Sequence, residues 1–165
     1  MPAVATPALA VLIDAGVDHR VHTYQHDRTA DSFGTEAADI LTGRLGISAS
    51  QVFKTLVVKR ADTTLAVAIL PVTTSLSLKS AATALGARKV AMAGRAEVER
   101  SSGYVFGGVS PLGQKRALPT VVDESALGWD RIFCSGGRRG LEIELDPAEL
   151  VRLTRAVTAP VAAAH

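Results

Sequence analysis

The chain has 165 residues, 47% of them hydrophobic and 21% charged, which suffices for one well-buried core and is too short for two full domains. A formal charge of +2 and a pI near 8.9 fall well short of the charge density of a protein that coats nucleic acid, so any such contact is expected to be local. The one cysteine, Cys134, excludes an internal disulfide and a thiolate-rich metal site, and no stretch reaches the ~18 apolar residues needed to span a bilayer, so a cytoplasmic protein is expected.

Residues 7–15 place Leu9, Leu12 and Ile13 on one side of a helix closed by Gly16. Residues 17–24 then alternate apolar and polar side chains, the period of a strand. Residues 25–34 are polar and irregular, and helical spacing resumes over 35–45, ending at Gly46. Ser48 and Gln51 have capping-box spacing ahead of a strand over 52–59, which pairs with 65–70 across a tight turn. Both runs are apolar on both faces, as the centre of a sheet requires.

Beyond them a helix capped by Ser77 is expected to end at Gly86, followed by a short strand over 89–93 and a helix over 96–101. Strands follow over 120–123, 131–134 and 141–145. Asp146, Pro147 and Glu149 then open a last helix as N-cap, N1 and N3 residues. The alanine-rich tail over 158–165 is expected to fray. The pattern predicts an α+β (mixed α/β) single domain over 1–165, with its core over 6–155 and a mixed sheet.

Two loops concentrate glycine and positive charge. Residues 107–115 read Gly-Gly-Val-Ser-Pro-Leu-Gly-Gln-Lys, and residues 135–140 read Ser-Gly-Gly-Arg-Arg-Gly. The first is either a tight turn or a concavity of main-chain N–H groups, from Gly107, Gly108 and Val109, that suits an oxyanion or a phosphate. Neither P-loop nor dinucleotide-fold spacing is present. Lys54 interrupts an apolar strand, so it either snorkels from an edge or anchors a carboxyl or phosphoryl oxygen. Lys115, Arg116, Arg138 and Arg139 flank the loops, either as a solvated rim or as phosphate-positioning cations.

With aromatics at 4%, base stacking is confined to one or two positions, of which Tyr24 and Phe33 stand in polar surroundings. His22, His26 and Asp27 lack the partner ligands a metal would need, and no metal or other cofactor is expected. No Gly-x-Ser-x-Gly elbow occurs, and Cys134 sits in an apolar run as a small hydrophobe. The chain announces no nucleophile of its own.

Taken in order, His22-Thr23-Tyr24 with His26-Asp27, Phe33-Gly34, Phe53-Lys54-Thr55-Leu56, Ser102-Gly103-Tyr104 and the two glycine loops resemble the YbaK/EbsC family from about Thr6 to Arg155. These are free-standing bacterial Cys-tRNA(Pro) deacylases, related to the editing domain of bacterial prolyl-tRNA synthetases. The resemblance implies a strongly curved mixed sheet flanked by helices, and hydrolysis of a mischarged aminoacyl ester on transfer RNA. It makes Lys54 the key lysine, with the Gly107 and Gly108 amides on the ester carbonyl. Tyr24, Phe33, Thr55, Ser110 and Glu142 surround the substrate, while Lys115, Arg116, Arg138 and Arg139 hold the acceptor end. Glu142 stands where the family pattern has aspartate. In that scheme the substrate's own thiol attacks the ester and prolyl-tRNA synthetase is a partner. The alternatives are a deacylase for Ala-tRNA(Pro) or another small amino acid, and a binding module without catalysis.

Overall fold

A computed structural model describes residues 5–25 and 33–164, with Phe33 and Gly34 described by their backbone alone. His26 and Asp27, and with them most of the polar segment expected over 25–34, lie outside the described residues. Helix α1 (Pro7–Asp14) is capped by Thr6, whose hydroxyl accepts from the Leu9 N–H and donates to the Gly136 carbonyl at 2.6 Å. One side chain thus starts the helix and ties it to the second glycine loop. The helix buries Ala8, Leu9 and Leu12, whereas Ile13, expected on the same face, is exposed.

Strand β1 (His19–Thr23) and helix α2 (Phe33–Leu45) follow, and the predicted capping box is present, Ser48 and Gln51 closing one turn over Ala49–Gln51. Strands β2 (Phe53–Arg60) and β3 (Leu65–Pro71) form the expected antiparallel hairpin. After β4 (Thr74–Leu76), α3 (Leu78–Ala84), β5 (Val90–Met92), α4 (Arg95–Ser102) and β6 (Thr120–Asp123), a short 3-10 turn leads to β7 (Ile132–Arg138). The chain continues through β8 (Leu141–Leu145), α5 (Pro147–Thr154), β9 (Val157–Ala159) and β10 (Ala162–Ala164).

The sheet is mixed, as expected, but the strands divide into three groups. Five form the order β5-β2-β3-β6-β9, with β3, β6 and β9 parallel and the others antiparallel; three form β1-β8-β7; and β10 pairs with β4. A single bridge, Val52 to Phe133, links the first two sheets. Hairpin β2–β3 is internal, and its two faces enter different clusters, Val57 and Ile69 packing with α1 and β8, Val58 and Ala68 with α3. No helix among the described residues is long and apolar enough to cross a membrane.

Residues 157–164 do not fray. β9 lies parallel to β6, β10 lies antiparallel to β4, and Val161 between them is fully buried. The organiser is Asp123, whose Oδ1 accepts the N–H groups of Val161 and Ala162, each at 2.9 Å. Burial would raise this carboxyl, but hydrogen bonds from Ser125, Val161 and Ala162 outweigh it and hold the group below its ordinary value. A carboxylate 38 residues away therefore supplies the order that the tail's own sequence lacks.

Candidate active site

The candidate site follows from how β2 is paired. Its far end bonds to β5 over Val58–Arg60, and the Ala93 N–H donates to the Val57 carbonyl; its near end bridges to β7 at Val52. Between those contacts no strand of the described residues pairs with the edge. Hydrogen bonding alternates along a strand, so the main-chain groups of Thr55 point to the same open edge as those of Val57. The two sheets part here around a cavity of about 540 Å³, a volume typical of small-ligand sites.

The two glycine loops close it from one side. Gly107 lines the cavity with φ +95°, a conformation that glycine adopts without strain. Gly108 packs behind it, where an added Cβ would stand 2.7 Å from the Arg138 Cα, so the loops that sequence places thirty residues apart are in main-chain contact. The Gly108 N–H donates to the Val105 carbonyl at 2.9 Å. The expectation that this amide polarises an ester is therefore corrected: Gly108 holds the loops together, and Gly107 faces the cavity.

Lys54 points its Nζ at the Thr74 carbonyl, 2.6 Å away, and has no carboxylate partner among the described residues. Half-burial pushes its pKa below the ordinary lysine value. An ammonium group has three donors, so a single carbonyl leaves it able to bind an incoming oxygen. Thr55 and Glu142 face the same cavity, and the Thr55 Oγ1 and Glu142 Oε2 are buried with no hydrogen-bond partner among the described residues. Unmade bonds of this kind are costly in an interior and are satisfied by a ligand in many binding sites.

Glu142 sits opposite His22 on β1 and Ser135 on β7. On the same face, His22 Nε2 lies 2.8 Å from Glu144 Oε1, and Arg131 Nε lies 3.4 Å from the other oxygen. Burial pushes the Glu142 carboxyl up to about 8, which favours its protonated, hydrogen-bond-donating form. The Tyr24 hydroxyl is pushed up to about 12, by burial first and then by the carboxyls of Glu142 and Glu36.

This gives a signed prediction. An acid raised from 4.5 to about 8 on folding contributes stability that is full below about pH 4.5 and is lost as pH rises through about 8. Glu142→Gln should remove that slope, worth on the order of a few kcal/mol, so the Tm of the wild type should fall more steeply than the variant's between pH 5 and 9. Parallel Tm profiles would show that Glu142 does not carry the titration.

Of the other expected site residues, Tyr24, Arg138 and Arg139 line the cavity. Ser110 does not: it is fully buried, and its hydroxyl accepts from the Leu112 N–H at 3.2 Å, a local turn that uses the oxygen internally. Its placement against the substrate is corrected. Lys115 and Arg116 are exposed and lie outside the lining; their main-chain N–H groups bond to Ser102 and Ser101. The side chain of Phe33 lies outside the described residues. Sequence reasoning missed Phe106 and Met92, which line the cavity together with Ala93 and Val98. An aromatic directly before Gly107 was the available signal.

Among the described residues no cluster of metal-ligating side chains occurs, and neither histidine nor cysteine lines the cavity. Cys134 is fully buried, and burial raises its thiol well above the ordinary range.

The sequence profile of the aminoacyl-tRNA editing domain family matches residues 34–153. The chain is 39% identical over 118 residues to EbsC of Enterococcus faecalis (strain ATCC 700802 / V583), assigned as a Cys-tRNA(Pro)/Cys-tRNA(Cys) deacylase, with 72% of each chain covered. Two solved structures share the fold. The hypothetical protein APE2540 superposes with a TM-score of 0.82 at 26% identity, over 96% of this chain and 100% of that one. A protein assigned as a trans-editing enzyme for prolyl-tRNA synthetase gives 0.79 at 24% identity, over 98% of this chain and 99% of that one. With its cavity built from the same loops and lysine strand that carried the sequence resemblance, the chain belongs to the aminoacyl-tRNA editing domain family and, within it, to the YbaK/EbsC group.

Proposed function

We propose that this chain is a trans-editing deacylase that removes cysteine from Cys-tRNA(Pro). The observation that carries the reading is a cavity with a half-buried, carboxylate-free Lys54 and, among the described lining residues, no histidine or cysteine to act as base or nucleophile. Such a site stabilises charge and orients groups, and it suits a substrate that brings its own nucleophile. The similarity to EbsC supports the choice of substrate.

In the proposed reaction the cysteinyl sulfur attacks the ester carbonyl carbon. A C–S bond forms, the C–O bond to the terminal ribose breaks, and the thiol proton passes to the departing ribose oxygen. The four-membered thiolactone released is then opened by water to free cysteine. Lys54 and the Gly107 main chain stabilise the transient oxyanion, Thr55 and Glu142 hold the aminoacyl group, and Arg138 and Arg139 at the rim meet backbone phosphates. Phosphate contacts carry little sequence information, so selection of the tRNA falls to prolyl-tRNA synthetase as partner. A second sieve has a physical purpose here, because a synthetase pocket separates side chains of similar size by only about 1–3 kcal/mol.

The test is release of labelled amino acid from Cys-, Ser- and Ala-tRNA(Pro), with and without the synthetase. Cysteine should be released at least tenfold faster than serine or alanine, and Cys134→Ala should retain full activity. Equal release of alanine would replace thiol attack by water attack on a small aminoacyl ester. Tight binding of charged tRNA without turnover would leave a recognition module.

A further inference from the structure

Beside the charged and polar groups used above, the cavity is lined by apolar side chains that have no part in that chemistry. Among them are Met92, Ala93, Val98 and Phe106. Phe106 is 43% exposed and Met92 49%, large apolar groups at the mouth of a cavity that the fold does not cover. Exposed aromatics of this kind mark contact sites when they are held rigidly.

Phe106 is held at two points, its main chain and its ring. Its N–H donates to Glu99 Oε2 on α4 at 2.8 Å. The Arg95 guanidinium lies over one face of its ring, 5.4 Å from the centroid, and Arg95 is in turn 3.8 Å from the same Glu99 carboxylate. Gly107, the next residue, is the one that faces the cavity. The Arg95 side chain is itself 68% exposed, and the Phe106 side that it leaves uncovered belongs to a residue of the cavity lining. A flat ring with a cation on one face is an arrangement that stacks a nucleobase.

We infer that Phe106, backed by Arg95, is the stacking platform for the terminal adenine of the aminoacylated acceptor end. The inference rests on the proposed substrate class and assigns it a residue. An aminoacyl ester on transfer RNA has one flat apolar group within a single ribose of the scissile bond, and that group is the purine. A cavity of about 540 Å³ is larger than a cysteinyl group requires, and its lining includes the apolar side chains that a purine face needs. Lys54, Thr55 and Glu142 then take the ester and the aminoacyl group, while the base lies against Phe106. Stacking is tolerant of base identity, so the platform contributes affinity and register and leaves tRNA selection to other contacts.

The experiment uses the full-length protein and two substrates, cysteinyl-tRNA and a base-free cysteinyl ester of glycerol. Phe106→Ala should raise KM for cysteinyl-tRNA about tenfold with kcat little changed, leave turnover of the glycerol ester unaltered, and be rescued by Phe106→Tyr but not by Phe106→Leu. Equal losses on both substrates, or full rescue by leucine, would overturn the assignment and leave Phe106 a wall of the fold. A second readout is independent of catalysis: an uncharged acceptor-stem minihelix whose terminal adenine is replaced by 2-aminopurine should be quenched on binding the wild type and the tyrosine variant, and unquenched with alanine. Quenching by the wild type without turnover of charged tRNA would sustain the platform and reject the deacylase reading. Turnover with identical quenching by wild type and alanine variant would do the reverse.

Discussion

Lys54→Met is expected to lower kcat/KM for release of cysteine from Cys-tRNA(Pro) by about 100-fold or more, the scale of losing one preorganised donor to an oxyanion. The fold should survive. Methionine keeps the unbranched apolar stem of the side chain, and the substitution removes a charge whose half-burial already depresses its pKa, so the desolvation cost disappears along with the Thr74 hydrogen bond. Arginine should not rescue, because its planar fork cannot reproduce a compact ammonium aimed at one carbonyl and one substrate oxygen. The lowered pKa also fixes the direction of the pH response. Activity that needs the ammonium should begin to fall at a lower alkaline pH than an ordinary lysine would dictate. The check is single-turnover deacylation alongside thermal denaturation. Undiminished activity in the methionine variant would remove Lys54 from the chemistry.

What could be read in advance divides along the reach of the information. Helix ends were legible because they are local: Ser77, Asp146 and the Ser48–Gln51 box act within three residues of themselves. The β2–β3 hairpin was legible from composition, and Lys54 stood out because it broke that composition. The order of residues 157–164 was not legible, since alanine carries no alternation and the ordering groups are Asp123 and strand β4. Ser110 misled for a related reason. A hydroxyl in a glycine loop reads as exposed, yet the turn itself consumes its acceptor through the Leu112 N–H. The two glycine loops were each recognisable as backbone-exposing, but their mutual contact is a tertiary fact. Only the fold shows that Gly108 is glycine because of Arg138 and that Gly107 is left to face the cavity.

That contact gives Gly108→Ala a large expected effect on stability. The new Cβ would stand 2.7 Å from the Cα of Arg138, 3.0 Å from its carbonyl carbon and 3.0 Å from the Arg139 nitrogen. All three are main-chain atoms, so no rotamer change relieves the overlap and the two loops must separate. Overpacking of this kind costs on the order of 2–3 kcal/mol, or roughly 4–10 °C in Tm for a chain of this size. The cavity wall should suffer with it. Arg138, Arg139 and Gly107 all line the cavity, so displacement of either loop alters the seat of the ester and should depress kcat/KM even at temperatures where the variant is folded. Gly43 supplies the control. It lies within α2, an added Cβ there meets nothing within 4 Å, and alanine is the better helix former, so Gly43→Ala should raise stability by about 0.5–1 kcal/mol with activity unchanged. Denaturant titration and deacylation rates for the two variants separate a general intolerance of glycine replacement from a specific loop contact. A Gly108→Ala protein as stable and active as the Gly43→Ala one would mean that the loops yield without cost and that their contact does not shape the site.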